Sequence, residues 1–310
     1  MGGGLLTRIR KIRQFLRENP HSLMVTYNWG SVEWMIANRF FPLLNAIHVQ
    51  DGYGQEESGH EIFKRTLIRR FAYAPTPVIV PSKTLLHRIN TVWKTPQAHQ
   101  HYIPNGIDLM RFNGQSPLSR ADFNIPETAI VIGTIAGLRA EKNIGRLITA
   151  FHTALKTAPN LYLLILGEGA EEKQLKSQVD QLGLSAQVTF AGNQNRPEDF
   201  IPLMDIFALS SDTEQMPLTV IEAMACSKPV AAPDIGDIKT MVSTKNTPYI
   251  QGTDAEALSK SLQTLAASTE LRHGTGRKNQ QKAQSHYSDI AMYQAWAKLY
   301  EKTSVQGRIP

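Results

Sequence analysis

Cysteine is nearly absent from this 310-residue chain, where Cys226 stands alone. One thiol excludes an internal disulfide and a zinc cluster built on several thiolates, and it fits a reducing compartment. Long apolar runs are missing as well. No uncharged stretch approaches the roughly 18 residues that a membrane span needs. The start MGGGLLTRIRKIRQFL is interrupted by Arg8, Arg10, Lys11 and Arg13, so it offers no apolar region of a secretory signal. The expected location is the cytoplasm. With 42% hydrophobic and 19% charged residues, the composition excludes wholesale disorder. No internal repeat or low-complexity tract interrupts the chain. At about 150 residues per domain, the length suits two domains, each able to bury a core.

Acidic residues are scarce in one part only. Residues 1–125 hold 15 Lys and Arg against 8 Asp and Glu, a net of +7, whereas the remainder holds 18 against 19, a net of −1. This asymmetry either marks a part that meets something anionic (a membrane surface, a phosphorylated acceptor, nucleic acid) or is a solvated basic face. Bases and aromatics do not interleave and no recognition motif is present, so nucleic acid is not an expected partner.

Short aliphatic runs alternate with longer segments of helical period. The first part has strand-like runs at 22–27, 46–50, 77–81 and 101–104, with helices expected at 5–18, 32–44, 62–73 and 84–93. The second has strands at 129–136, 161–166, 187–190, 206–209 and 229–232, with helices at 144–156, 172–182, 218–226 and 255–266. Near-continuous apolar strands separated by helices predict buried parallel sheets, an α/β architecture in both halves. The polar segment 113–125 is the candidate boundary.

Such sheets bind ligands beyond the carboxyl ends of their strands, so the segments that follow each strand carry the search. SSDTEQMPLTV at 210–220 follows one strand and enters a helix at Pro217, a residue suited to a first helical turn. The free amides of Leu218, Thr219 and Val220 then face outward at a positive helix end, which suits phosphate. Glu214 in the loop and Glu222 in the helix can each accept hydrogen bonds from the hydroxyls of a ribose or sugar. Alternatively, one caps the helix and the other makes a surface pair. GTIAGLRAEKN at 133–143 turns from a strand into a helix capped by Asn143. Arg139 and Lys142 in that turn form either a diphosphate clamp or two solvated charges. Gly167-Glu168-Gly169 imitates the start of a dinucleotide fingerprint, but the third glycine is replaced by Glu172 and the acids oppose pyrophosphate. HVQDGYGQEE at 48–57 places His48 and Asp51 beside Gly52 and Gly54, as a close-approach site or as a solvated glycine-rich loop.

YIPNGIDLMRF at 102–112, GLRAEKN at 137–143, LLILGEG at 163–169, VTFAG at 188–192 and SSDTEQMPLTVIEAMACSKPVAAPDIGD at 210–237 together resemble the family-four glycosyltransferases of the GT-B fold, closely over 45–245. The resemblance implies two Rossmann-like domains facing a cleft. One is an acceptor-side domain at 1–113 plus a returning helix at 287–303, and the other is a donor-binding domain at 125–286. It implies that Lys142 holds the donor diphosphate and Glu222 the ribose hydroxyls, that Glu214 stands near the transferred sugar, and that Gln215, Met216, Pro217 and Leu218 line sugar and phosphate with backbone. The family's arginine after the first glycine falls at Gly137, with Arg139 as a substitute. Its acceptor-side histidine falls at Asp51, leaving Asp51 or His48 for that role. Gln215 replaces a glycine. The first domain is expected to be incomplete, lacking very roughly half of a 100–150-residue domain, with the strand at 22–27 left as an apolar edge.

The implied reaction is retaining transfer of a sugar from a nucleoside-diphosphate sugar to an acceptor hydroxyl, in bacterial cell-surface polysaccharide or glycolipid synthesis. The leaving diphosphate would be stabilised by Lys142, Arg139 and a helix start, with neither a cofactor nor a metal and no covalent nucleophile. The expected acceptor is a sugar, lipid-linked or anionic. A peripheral contact with the inner face of the plasma membrane is a further expectation. In this fold the apolar side of helix 5–18 is expected to pack on the sheet, which leaves Arg65, Arg69 and Arg70 to attract the surface. The alternatives are an inactive fragment that only binds nucleotide and a nucleotide-sugar epimerase that acts without acceptor.

Overall fold

The computed structural model describes residues 4–19, 23–39, 41–53, 57 and 62–305. The chain divides into two compact units, Met1–Asn105 with Ala291–Pro310, and Gly106–Ile290.

The first unit runs α1 (Leu5–Glu18), β1 (Leu23–Tyr27), α2 (Val32–Arg39), β2 (Asn45–Val49), α3 (Phe63–Tyr73), β3 (Val78–Val80), α4 (Lys83–Thr91) and β4 (Gln100–Tyr102). Its four strands are parallel, in the order β1-β2-β3-β4. Successive strand side chains point to opposite faces, and here both faces are covered. Met24, Val78 and Val80 pack with Ile12 and Leu16 of α1, Met35 of α2, Tyr73 of α3 and Leu85 and Ile89 of α4. Ile47, Ile79 and Ile103 pack with Leu299 from the last helix. Double burial is complete in β3 and extends over most of β2, which read as apolar runs, whereas the edge strands β1 and β4 are only partly buried and β4 is polar. Helix 32–44 is shorter than its periodicity suggested. It ends at Arg39 because the Asn38 side chain accepts the N–H groups of Leu43 and Leu44 (2.8 and 3.2 Å) and donates to the Leu44 carbonyl, ahead of which Pro42 has no N–H to offer.

The second unit runs β5 (Ile130–Ile135), α5 (Ile144–Leu155), β6 (Leu161–Leu166), α6 (Glu172–Gln181), β7 (Val188–Gly192), β8 (Ile206–Ala208), α7 (Leu218–Ala225), β9 (Val230–Pro233), α8 (Ile238–Met241), β10 (Ile250–Gln251), α9 (Ala255–Ala266) and α10 (Thr269–His286). α11 (Asp289–Val305) follows and belongs to the first unit from Ala291 onward. The six parallel strands are ordered β10-β9-β8-β5-β6-β7, with apolar clusters on both faces. The order reverses at β5, the kind of switch point beside which α/β sheets take ligands. Apolar periodicity gave no sign of α10, because it buries Arg272, Thr275 and Asn279 rather than a hydrophobic stripe. Asn279 donates to the Lys228 carbonyl and to Asn246 Oδ1, and it accepts from Ser243.

The glycines of the 167–169 turn serve packing. Gly167 has φ +133°, and a Cβ there would strike the Ala136 carbonyl, while a Cβ on Gly169 would strike that of Leu138. They let the turn after β6 lie against the turn after β5, which gives both glycines a packing role.

Candidate functional site

Two loops of the second unit, after β5 and after β8, meet beyond the carboxyl ends of their neighbouring strands. Ala140–Lys142 is a 3-10 turn that ends on Asn143 in the left-handed region (φ 45°), and Asn143 caps α5 by accepting the Arg146 N–H at 3.2 Å. The turn presents Lys142, whose Nζ donates to Glu214 Oε1 at 2.6 Å. Ser211 Oγ donates to the same carboxylate oxygen at 2.7 Å. Lys142 and Glu214, predicted from loops 72 residues apart, thus stand in one half-buried ion pair. Arg139 is turned outward and pairs with Glu141 at 3.1 Å.

Pro217 caps α7 in extended conformation, as its fixed φ and missing N–H favour. Leu218 is exposed, whereas the Met216 side chain is buried in the same apolar cluster as Val220 and Met224. The Gln215 carbonyl accepts the Asp237 N–H at 2.9 Å. Gly236 at φ +53° lies under the Glu214 carbonyl, where a Cβ would collide, so the loop is seated on bare backbone.

One turn further on, half-buried Glu222 has Arg111 and Glu198 as its charged neighbours. Burial pushes its carboxyl up to about 7. The Arg111 guanidinium pulls it back, and the charge of Glu198 adds to the rise. Arg111 itself pairs with Glu198 at 3.0 Å. Sequence reasoning gave no role to Arg111, Glu198, Ser211, Asp212 or Arg146. Arg111, Ser211 and Asp212 lay inside quoted motifs, and Glu198 and Arg146 carried no local signal.

In the first unit His48 and Asp51 part company. His48 is wholly buried, stacked on Tyr73 at 3.8 Å, with Nδ1 2.9 Å from Thr26 Oγ1 and Nε2 3.3 Å from Gln50 Oε1. Burial lowers its pKa to about 3, so it is neutral and enclosed, and the expectation that it faces an acceptor is corrected. Asp51 is exposed, its N–H donating to Asn28 Oδ1 at 2.9 Å. Gly54, the other glycine of that loop, lies outside the described residues.

The basic residues of α3 are corrected too. Arg69 is buried, with Nη1 and Nη2 donating to the two oxygens of buried Glu57 at 2.6 and 2.7 Å. Its guanidinium lies about 5 Å from the rings of Trp29, Tyr53 and Trp93. Arg65 joins Glu57 at 2.9 Å, so of the three arginines of α3 Arg70 alone is exposed. α1 packs as expected, with Ile12 and Leu16 inside. No described helix is long and apolar enough to cross a membrane, and no metal-holding group of three His, Cys, Asp or Glu is found among the described residues.

The family described as "Glycosyl transferases group 1" matches residues 115–282, more than half of the chain, and the chain belongs to it. A glycosyltransferase of Methanocaldococcus jannaschii is 26% identical over 243 residues, 74% of this chain and 60% of that protein. The O-antigen biosynthesis glycosyltransferase WclY of Escherichia coli is 31% identical over 147 residues, 47% of this chain and 40% of that one. The chain therefore spans about half the length of these relatives. Anabaena HepE, solved in complex with UDP-glucose, superposes with a TM-score of 0.79 at 19% identity, over 95% of this chain and 82% of that chain. The fold is that of the GT-B glycosyltransferases.

Proposed function

We propose that the chain transfers a sugar from a nucleoside-diphosphate sugar to an acceptor hydroxyl with retention. The observation that carries this reading is the convergence of Lys142 and Glu214 at 2.6 Å, beside the exposed start of α7 and within one loop-and-helix stretch of Glu222. A phosphate at that point meets one ammonium and a positive helix end, the charge arrangement that stabilises a departing diphosphate. Glu222, as carboxylate, accepts the two ribose hydroxyls, and Glu214, released from Lys142, accepts sugar hydroxyls. Arg139, exposed and paired with Glu141, adds a second cation, and Gln215, Met216, Pro217 and Leu218 contribute backbone. Asp51 is the candidate acceptor-side group. Cationic side chains do the work that a divalent ion does elsewhere, so neither metal nor cofactor takes part. The HepE complex supports a UDP-sugar as first donor to try, and WclY supports a cell-surface glycan as product.

The acceptor is a sugar, lipid-linked or anionic, and the first unit carries a surface suited to its membrane. α1, α2 and α3 hold ten bases and two acids, and of the bases Arg10, Lys11, Arg17, Lys64 and Arg70 are exposed, while Arg69 is buried on Glu57. The three helices are joined by Arg8 to Glu33 at 2.6 Å and by Arg39 to the Phe71 carbonyl at 3.2 Å. On α3 Phe63, Leu67 and Phe71 are 73%, 46% and 41% exposed at four-residue spacing. Lys64 and Arg70 flank them and Arg39 lies over the Phe71 ring. An apolar stripe between cations complements an anionic bilayer.

The test is incubation with UDP-, GDP- and ADP-sugars and sugar or lipid-linked acceptors, with and without chelator. Transfer that survives chelation with the anomeric configuration retained is the expected result. Nucleotide binding without transfer returns the chain to a mere binder, and interconversion of the donor sugar without acceptor makes it an epimerase. Loss on chelation, rescued by magnesium or manganese, overturns the metal-free mechanism.

A further inference from the structure

Behind Lys142 lies a group of side chains with no assigned role. The Asp212 carboxylate receives Asn143 Nδ2 on both oxygens at 3.2 Å and pairs with Arg146. The Asp212 N–H donates to the Glu141 carbonyl at 2.8 Å. Arg146 Nη1 donates to the Ser210 carbonyl at 2.9 Å, and Ser210 Oγ donates to the Lys142 carbonyl at 3.0 Å. Five links thus bind 141–146 to 210–212, none of them through the Lys142 ammonium.

Arg146 offsets the charge of Asp212, so the group adds no net repulsion to a phosphate at Lys142. What it fixes is geometry. Within the turn the backbone is closed by the Lys142 N–H on the Arg139 carbonyl and the Asn143 N–H on that of Ala140, but these bonds do not tie the turn to the 210–214 loop, and a lysine free to move with its turn loses that freedom when it grips a ligand. We propose that Asp212, with Asn143 and Arg146, is a positioning device that holds the Lys142 turn against the Glu214 loop and so presents Lys142 ready for the donor diphosphate. The inference rests on the reading of Lys142 as the diphosphate ligand.

Removing Asp212 alone would liberate a new cation, so the test removes both charges, as Asp212→Ala with Arg146→Gln. Binding of UDP, GDP and ADP is measured by calorimetry for the unaltered chain, this double variant, Lys142→Ala and the combination of all three substitutions, with melting curves alongside. The expected result is a loss of about tenfold in affinity from the double variant when Lys142 is present and less than about twofold when it is absent, because neighbours that act through one another are not additive. A merely structural role lowers affinity by the same factor in both backgrounds, whatever it does to melting, and that outcome overturns the proposal. So does unchanged affinity in the double variant. If Lys142→Ala binds as tightly as the unaltered chain, the Lys142 assignment and this inference fall together, while loss of binding in Glu222→Gln keeps the nucleotide site standing. Absence of binding by all three nucleotides removes both.

Discussion

Glu222 shows how one residue's surroundings set the behaviour of a site. In solvent its carboxyl would be ionised at neutral pH, but burial carries it up to about 7. In its proposed role Glu222 accepts ribose hydroxyls, so the ionised form is the one expected to bind. Below a pH of about 7 the proton must leave before nucleoside enters, and affinity falls by up to tenfold for each pH unit. The expected outcome is UDP-glucose binding that strengthens from pH 5.5 to 8 and levels off above about 7.5, with Glu222→Gln weak and flat throughout. UDP-glucose is the probe because its diphosphate has no proton to lose in that range. A slope that persists in Glu222→Gln assigns the titration elsewhere. Cys226 is a contrast within the same helix end: burial pushes its thiol up to about 11, so it remains protonated and inert.

At the scale of elements, α3 joins two opposed faces. Its inward face brings Arg69 and Arg65 to Glu57. Burial raises the Glu57 carboxyl, yet the hydrogen bonds from Arg69 and Arg65 outweigh it and hold the group below the usual carboxylate range. A buried carboxylate with two guanidiniums is expensive to break because the remaining charges cannot reach water. Glu57→Ala strands buried Arg69 and is expected to cost about 3–5 kcal/mol, whereas Arg65→Ala leaves the Arg69 pair intact and costs about 1 kcal/mol. Urea midpoints measure both, and equal costs would show that the pair is not the anchor of α3. Glu57 contributes stability that is complete above the pKa of its unfolded form and fades as pH falls through its lowered folded value, so the difference between the two variants narrows in acid. The outward face has the opposite character, with Phe63 and Leu67 in solvent. Phe63→Ser with Leu67→Ser is expected to leave the fold unchanged, since neither side chain is in the core.

For the molecule as a whole, the uneven charge supports the proposal that the donor meets the second unit and an anionic acceptor, or its membrane, meets the first. Each base near an anionic bilayer adds on the order of 1 kcal/mol, screened within about 10 Å at 0.1 M salt. Co-sedimentation is expected with vesicles containing phosphatidylglycerol, to be lost at high salt, to be weak with neutral vesicles, and to fall in the Phe63 and Leu67 variant. Equal binding to both vesicle types, or none to either, leaves the basic surface to a soluble acceptor or to solvent.

Much of this was legible along the chain. Parallel sheets buried on both faces write themselves as aliphatic runs, because every second residue has no polar face to turn to, and β5, β6 and β8 fall where those runs lie. Asn143 announces its cap by residue type, and Glu214 and Glu222 announce themselves by following a strand and opening a helix. Tertiary structure alone decided which charges face solvent. Arg69 and Arg70 are adjacent in sequence and alike in chemistry, but the 100° step of a helix sends one among Trp29, Tyr53 and Trp93 and leaves the other outside. His48 and Asp51 share a loop motif, yet the pleat turns His48 onto Tyr73. Nothing local joins Asp212 to Arg146 or Lys142 to Glu214. Those pairs exist because β5 and β8 are neighbours in the sheet, and strand order is fixed by the packing of the whole core, which no single segment records.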